Sequence, residues 1–243
     1  MELIVYDRQV WCPYLPRQVA RMPLRMPTRD LTGEELDERL AVGDRRQGVV
    51  LYRTRCPRCE ACEPVRIDVA RFRPTRTHRR TLARGLRELA IEIGRPQVDA
   101  ERVALYDRHK RARALADDAH PIEPQTYEEF LVATCCDSLE IAYRLNGELV
   151  GIAITDRGAT SLSAVYCHHD PTKTTLGVGT FSILYQLELC KQWGLRWLYL
   201  GLYVAGNEPM AYKARFLPHE RRIDGRWHVF EKAPAERVAG ESG

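Results

Sequence analysis

The stretch LEIAYRLNGELVGIAITDRGATSLSAVYC, Leu139 to Cys167, decides the fold. Ile141, Tyr143 and Leu145 recur with the period of a strand, and so do Val150, Ile152 and Ile154. Asn146-Gly147 between them is the dipeptide that best tolerates the positive φ angles of a tight hairpin turn. A second turn is expected at Asp156-Arg157-Gly158, before a third strand from Leu162 to Tyr166. The period then changes. In LGVGTFSILYQLELCKQWG, Leu176 to Gly194, glycines open a segment whose Ile183, Leu184, Leu187 and Cys190 share one helical face. LRWLYLGLYV, Leu195 to Val204, is a near-continuous apolar run of the kind found in a strand buried on both sides. Three antiparallel strands, a crossover helix and a further strand predict an α+β protein with a mixed, mainly antiparallel sheet.

Upstream, the proline-punctuated first 30 residues predict irregular or short-stranded chain. DLTGEELDERLAVG is expected to be a helix, with Thr32 as N-cap, Glu35 completing a capping box and Gly43 ending it. GVVLYRTRC and PVRIDVARF read as strands, the second with Val65, Ile67 and Val69 on one face. RTHRRTLARGLRELAIEIG is expected to be one basic helix running to Gly94. Helical patterns resume in AERVALYDRHKRARA and TYEEFLVATC. GRPQVD is the expected boundary between a cysteine- and arginine-rich N-terminal domain, residues 1–95, and a second domain, residues 96–243, whose tail after Lys232 is expected to be disordered.

The chain has 243 residues, 44% of them hydrophobic and 29% charged, ordinary globular values. No apolar run approaches the roughly 20 residues that span a bilayer. The start MELIVYDRQVWCPYLPR lacks a positive-then-apolar leader, so a cytoplasmic location is expected, and eight cysteines there are expected to be thiols or metal ligands. The net charge of +4 is unevenly spread: Tyr52 to Arg87 holds eleven arginines against Glu60, Glu63 and Asp68, a local +8, so the rest sums to −4. Such a stretch is either a solvated basic face or the footprint of a phosphate-rich partner, for which the planar guanidinium suits bidentate contacts.

Four groups of residues carry chemistry. Cys56, Cys59 and Cys62, three apart on a loop, can face one ion; zinc or a four-iron cluster wants a fourth ligand, for which Cys12 is the candidate, and reduced buried thiols are the alternative. Cys135, Cys136 and Cys190 lie in helix-like patterns and are expected to be packed in the core. Gly177 and Gly179 frame a loop that could expose amides at a helix start, or serve chain reversal alone. His168-His169-Asp170-Pro171 ends a strand; a solvated turn is expected for the histidines, with Asp170 open to a catalytic role. Tyr212, Lys213, Arg215 and Phe216 combine charge with aromatic rings, suited to a terminal base or a carboxylate, or else to helical packing.

The order of strands and helix is similar to the acyltransferase core of the GNAT type. CPYLP (Cys12 to Pro16), YRTRCPRCEACEPVRIDVARFRPTRTHRR (Tyr52 to Arg80), LSAVYCHHDP (Leu162 to Pro171) and MAYKARFLPHE (Met210 to Glu220) together resemble the aminoacyl-tRNA–protein transferases, specifically the short bacterial aspartate/glutamate leucyltransferases. Departures exist: Thr75-Arg-Thr-His-Arg-Arg80 replaces Ser-x-Ser-Gln-Arg-Arg, histidines 168 and 169 replace aromatic residues, Asn207 stands where a cysteine is common, and Leu15 replaces the second cysteine of an early pair. The resemblance implies a GNAT-like catalytic domain and transfer of leucine from Leu-tRNA to proteins beginning with Asp or Glu, the N-end rule mark for degradation. No cofactor is required for that chemistry, although zinc or an iron–sulfur cluster is expected at the cysteines. Arg76, Arg79, Arg80, Arg215 and the Gly177–Gly179 amides are the expected substrate-binding groups; Tyr166, Asp170 and Tyr212 are expected around the amine, and Lys213, counted with them as catalytic, is also a candidate partner for the acceptor's carboxylate. Arginine as the donated residue, a coenzyme-A-dependent N-acetyltransferase and a zinc-dependent RNA-binding protein are the competing readings.

Overall fold

The computed structural model describes residues 1–115 and 120–232, so the expected disorder after Lys232 lies outside the described residues. The early prolines confine the start to short strands β1 (Glu2–Tyr6), β2 (Gln9–Trp11), β3 (Val19–Arg21) and β4 (Leu24–Pro27). Helix α1 (Gly33–Ala41) begins with the expected box: Thr32 Oγ1 accepts from the Glu35 amide while the Glu35 carboxylate accepts from the Thr32 amide. Strands β5 (Arg45–Gln47) and β6 (Val50–Tyr52) complete a four-stranded sheet ordered β1-β4-β6-β5, and β2 pairs with β3 in a separate ribbon.

The larger layer begins with β7 (Cys62–Asp68), α2 (Arg76–Glu88) and β8 (Ala90–Gly94). Helices α3 (Ala100–Ala112) and α4 (Pro124–Tyr127) follow, the latter running into a π-turn at Glu128–Val132. Then come β9 (Ser138–Leu145), β10 (Glu148–Arg157), β11 (Ser161–His169), α5 (Val178–Gln192) and β12 (Trp197–Val204). A short α6 (Glu208–Ala211), a 3₁₀ turn at Tyr212–Arg215, β13 (His219–Ile223) and β14 (Arg226–Phe230) end it. The eight strands are ordered β14-β13-β7-β12-β11-β10-β9-β8, and every pairing is antiparallel except β11 with β12. The fold is α+β, with a mixed, mainly antiparallel sheet and the core order β9-β10-β11-α5-β12. Among the described residues no helix is long and apolar enough to cross a membrane.

Three expectations are corrected. The basic helix stops at Glu88, because the alternating Ala-Ile-Glu-Ile that follows pairs with β9 as an edge strand. The turn expected at Asp156 begins later, since Asp156 stays in β10, buried against Arg46, and Gly158 closes on Ser161. The histidines are not in a solvated turn: β11 continues through both, and His168 is fully buried against the rings of Tyr106 and Tyr127. The eight-stranded sheet takes β7 and β8 from before residue 95 and its other strands from after it, β7 lying between β12 and β13 and β8 at an edge.

Two contacts lock the layers. Gly85 of α2 faces α5 so closely that an added Cβ would lie 2.2 Å from the Phe181 ring. Arg46 of β5 forms a doubly hydrogen-bonded ion pair with Asp156 at 2.8 Å, both side chains about 1% exposed, and Ser138 Oγ donates to the same carboxylate. That pair fixes the small sheet on the large one, with the guanidinium also donating to Gly48 and Ala133 carbonyls.

Candidate active site

The two parallel strands pair only through Ser161–Ser163 and Trp197–Tyr199. Beyond that point β11 follows β10 and β12 follows β7, so the strands diverge and leave backbone groups of β11 without a strand partner. Arg45 enters this opening from β5. Its Nη1 donates to Ser163 Oγ at 3.2 Å and its Nη2 to the Ala164 carbonyl at 2.9 Å. Gly201 on β12, at φ +89°, lets it approach, since a Cβ there would stand 3.3 Å from Nη2. Arg45 is buried with no carboxylate in salt-bridge contact among the described residues, and burial lowers its affinity for the proton. A buried cation held this way keeps donors available for an incoming oxyanion or carbonyl.

The loop after β12 brings Lys213 to the same place. Lys213 is about 6% exposed, and its ammonium has only long contacts, to the Met210 carbonyl at 3.4 Å and the Met210 sulfur at 3.6 Å. Burial first, then the charge of Arg45, pushes its pKa down to about 7. The Tyr212 ring lies 4.9 Å from its Nζ, and burial raises the phenol to about 12, keeping it a proton donor. Arg215 is exposed, with no ion-pair partner among the described residues. The turn is pinned from below by Phe216, whose ring stacks on His78 at 5.0 Å. His78 accepts from the Thr75 amide as the third residue of α2, so it fills the capping-box place expected of Gln in the resemblance.

Gly177, at φ +60°, is the N-cap of α5 and supplies no side-chain cap to the helix. The first amides of α5 therefore have no side-chain cap, beside the end of β11. A Cβ on Gly179 would be 3.8 Å from His169 Nε2, and one on Gly177 3.8 Å from Thr81 of α2. The helix start thus adjoins the basic helix, on which Arg76, Arg79 and Arg80 are exposed; Arg79 donates to the Pro74 carbonyl, at 2.7 Å.

The remaining expected residues are nearby but already engaged. Tyr166 is packed among Tyr106, Phe130 and His168, and burial raises its hydroxyl. The Asp170 carboxylate accepts from the Thr172 amide at 2.8 Å and hydroxyl at 2.6 Å, and the balance of these bonds holds its pKa below the ordinary value despite burial. Neither is a strong base. Sequence reasoning missed Arg45, because an arginine beside a second arginine looks like exposed loop; only its neighbour's need for Asp156 reveals a buried strand.

Cys12, Cys56, Cys59 and Cys62 come into one neighbourhood beside β7. Cys62 is pushed up to about 12 by burial and then by Cys56, Cys12 and Cys59. Cys12 Sγ accepts from the Tyr14 and Leu15 amides at 3.5 and 3.4 Å. Four thiols in one neighbourhood have the chemistry of a thiophilic ion or cluster site, although among the described residues no group of three or more His, Cys, Asp or Glu side chains is set as a coordination shell. Cys135, Cys136 and Cys190 are buried, as expected.

Fold and site together define a transferase: a strand divergence holding a buried cation and a neutralisable amine, beside an open helix start and a basic helix. The chain belongs to the arginine-tRNA–protein transferase family, whose N-terminus model matches residues 11–80 and whose C-terminus model matches residues 101–223. Curated relatives named aspartate/glutamate leucyltransferase include one from Thiobacillus denitrificans, 34% identical over 220 residues and covering 90% of this chain and 91% of the relative. Another, from Stenotrophomonas maltophilia, is 38% identical over 229 residues, covering 90% of each. Solved structures of low similarity include the C-terminal domain of a lysylphosphatidylglycerol synthetase from Agrobacterium fabrum (TM-score 0.47, 15% identity, 60% of this chain and 48% of that one). FemX is a second (TM-score 0.46, 8% identity, 84% and 81%).

Proposed function

We propose that this chain transfers leucine from leucyl-tRNA to the α-amino group of proteins that begin with Asp or Glu, in the cytoplasm, as the N-degron mark. The names of its relatives support the donor and acceptor. The observation that carries the chemistry is Lys213, a buried amine held near neutrality beside Arg45. The ester of an aminoacyl-tRNA is already activated, so the protein supplies position, a base and stabilisation of the oxyanion.

Lys213 Nζ takes a proton from the acceptor's α-ammonium, whose ordinary pKa is about 8. The freed nitrogen attacks the ester carbonyl carbon, and negative charge develops on the carbonyl oxygen opposite the Arg45 guanidinium and the α5 amides. Lys213 releases that first proton to solvent, takes the second from the nitrogen of the tetrahedral intermediate and passes it to the ribose 3′-oxygen as collapse breaks the bond to that oxygen and leaves the new peptide bond. Tyr212 donates a hydrogen bond to the reacting groups, while Tyr166 and Asp170 keep the end of β11 in place. Arg76, Arg79 and Arg80 face the tRNA backbone, and Arg215 pairs with the acceptor's carboxylate. Cys12, Cys56, Cys59 and Cys62 would hold zinc or an iron–sulfur cluster in a structural role, bracing the N-terminal unit; elemental analysis with an absorption spectrum tests that assignment.

Radiolabelled leucyl-tRNA with Asp-, Glu- and Ala-starting peptides tests the whole reading. Arg215→Ala is expected to remove the preference for acidic acceptors; if the variant keeps the wild-type ratio of Asp to Ala transfer, that assignment is wrong. Neutralising Arg79 and Arg80 together is expected to weaken tRNA-dependent transfer and flatten its salt dependence.

A further inference from the structure

On the Tyr52 side of Arg45, the N-terminal strands form a half-open cavity of about 300 Å³. Its walls are Val10, Pro13, Met22 and Leu24 with the rings of Tyr6, Tyr14 and Tyr52, and the exposed polar Arg8 and Gln47 also line it. The inner wall is contiguous with the catalytic centre. Tyr52 stands opposite Arg45 in the β5–β6 register. Tyr14 and Tyr52 both lie within the field of Arg45, and the Tyr14 carbonyl accepts from Asn207 Nδ2 at 2.8 Å, six residues before Lys213. The segment that lines the cavity is thus tied to the loop that carries the base.

We infer that this cavity receives the aliphatic side chain of the amino acid being transferred, and that it sets the donor preference. The inference rests on the transferase reading above. A branched alkyl group attached one carbon from the reacting carbonyl has to lie beside the groups that handle that carbonyl, and this cavity is separated from Arg45 only by its Tyr52 wall. Its size is at the lower end of small-ligand pockets, about 300 Å³, suited to a side chain rather than to a whole nucleotide. Its aliphatic and aromatic lining rewards the burial of methyl groups. Arg8 makes no ion pair among the described residues, so a cationic side chain in the cavity would meet an uncompensated like charge. Leucine is favoured by the lining, and arginine or lysine is opposed by Arg8.

The test charges one tRNA body with leucine, alanine or arginine and measures transfer to the same Asp-starting peptide. Val10→Phe, at an exposed position of β2, is expected to shrink the cavity and lower kcat/KM for the leucyl ester about tenfold more than for the alanyl ester. Alanyl transfer by the same variant shows that it is folded and competent. Arg8→Glu is expected to raise transfer from the arginyl ester about tenfold relative to the leucyl ester. The inference is overturned if Val10→Phe slows leucyl and alanyl transfer equally, which would place the terminal ribose or base in the cavity, or if it leaves leucyl transfer unchanged. Wild-type protein that transfers no leucine would instead sink the transferase reading itself.

Discussion

Replacing Lys213 by arginine keeps the positive charge and most of the length but removes a group able to lose its proton near neutrality. With a pKa of about 7, Lys213 is about half neutral at pH 7, whereas an ordinary lysine would be neutral in a few molecules per ten thousand. An acceptor amine with pKa near 8 is already about one-tenth neutral at pH 7, so deprotonation before attack accounts for about tenfold. Removing the second proton from the tetrahedral intermediate and returning one to the ribose oxygen extends the loss to about 10²-fold, the lower end of general base contributions. Lys213→Arg should therefore lower kcat/KM about 10²-fold at pH 7, read as radiolabelled leucine passed to an Asp-starting peptide. The wild-type rate should rise through an inflection near pH 7; in the variant the inflection should move to about 8, the acceptor's own value. Lys213→Met adds a second readout. The lowered pKa means that protonated Lys213 costs folding stability, fully below pH 7 and progressively less as pH rises toward 10.5. The methionine variant should consequently be more stable by roughly 3–5 kcal/mol at pH 7 while inactive, a combination that a merely structural lysine would not give. A Lys213→Arg variant within threefold of wild type, with its inflection still near pH 7, would refute the reasoning.

Gly85→Ala should cost about 2 kcal/mol or more by denaturant unfolding, because the added methyl meets the Phe181 ring at 2.2 Å and two helices must separate. Arg46→Met should cost about 3–5 kcal/mol by leaving Asp156 buried without its cation, and Asp156→Asn in the same chain should recover part of that loss. His109 and His219 are held near pH 4 by burial, and His168 well below its ordinary value with both ring nitrogens unpartnered. The unfolded chain binds more protons below pH 6.5, so stability should be full above that value and fall as pH drops toward 4, by on the order of 1–3 kcal/mol for each of His109 and His219, with His168 acting in the same direction, read from unfolding midpoints across a pH series.

The core was legible because its signals are local and redundant. Asn146-Gly147 takes positive φ at both residues, Thr32 and Glu35 cap each other, and β12 is the apolar run that its sequence describes. The AIEI segment was misread because four residues fit either period, and pairing with β9 decides between them. His168 could not be placed from sequence: its burial comes from Tyr106 and Tyr127, on distant helices. At the site, Lys213 was legible as a basic residue within a motif. Its lowered pKa was not, because that depends first on burial and then on Arg45, which arrives from 168 residues upstream through a strand only three residues long. The cavity under β2 was equally hidden, since its lining comes from short strands interrupted by prolines.

The most direct measurement is the mass of the acceptor. Purified protein, leucyl-tRNA and matched peptides starting with Asp, Glu or Ala are incubated without coenzyme A, and the products are sequenced by mass spectrometry. One leucine residue on the α-amino group of the Asp and Glu peptides, and none on the Ala peptide, is the expected result. Unmodified acidic peptides, or modification that requires an acyl-coenzyme A instead of the charged tRNA, would contradict the account.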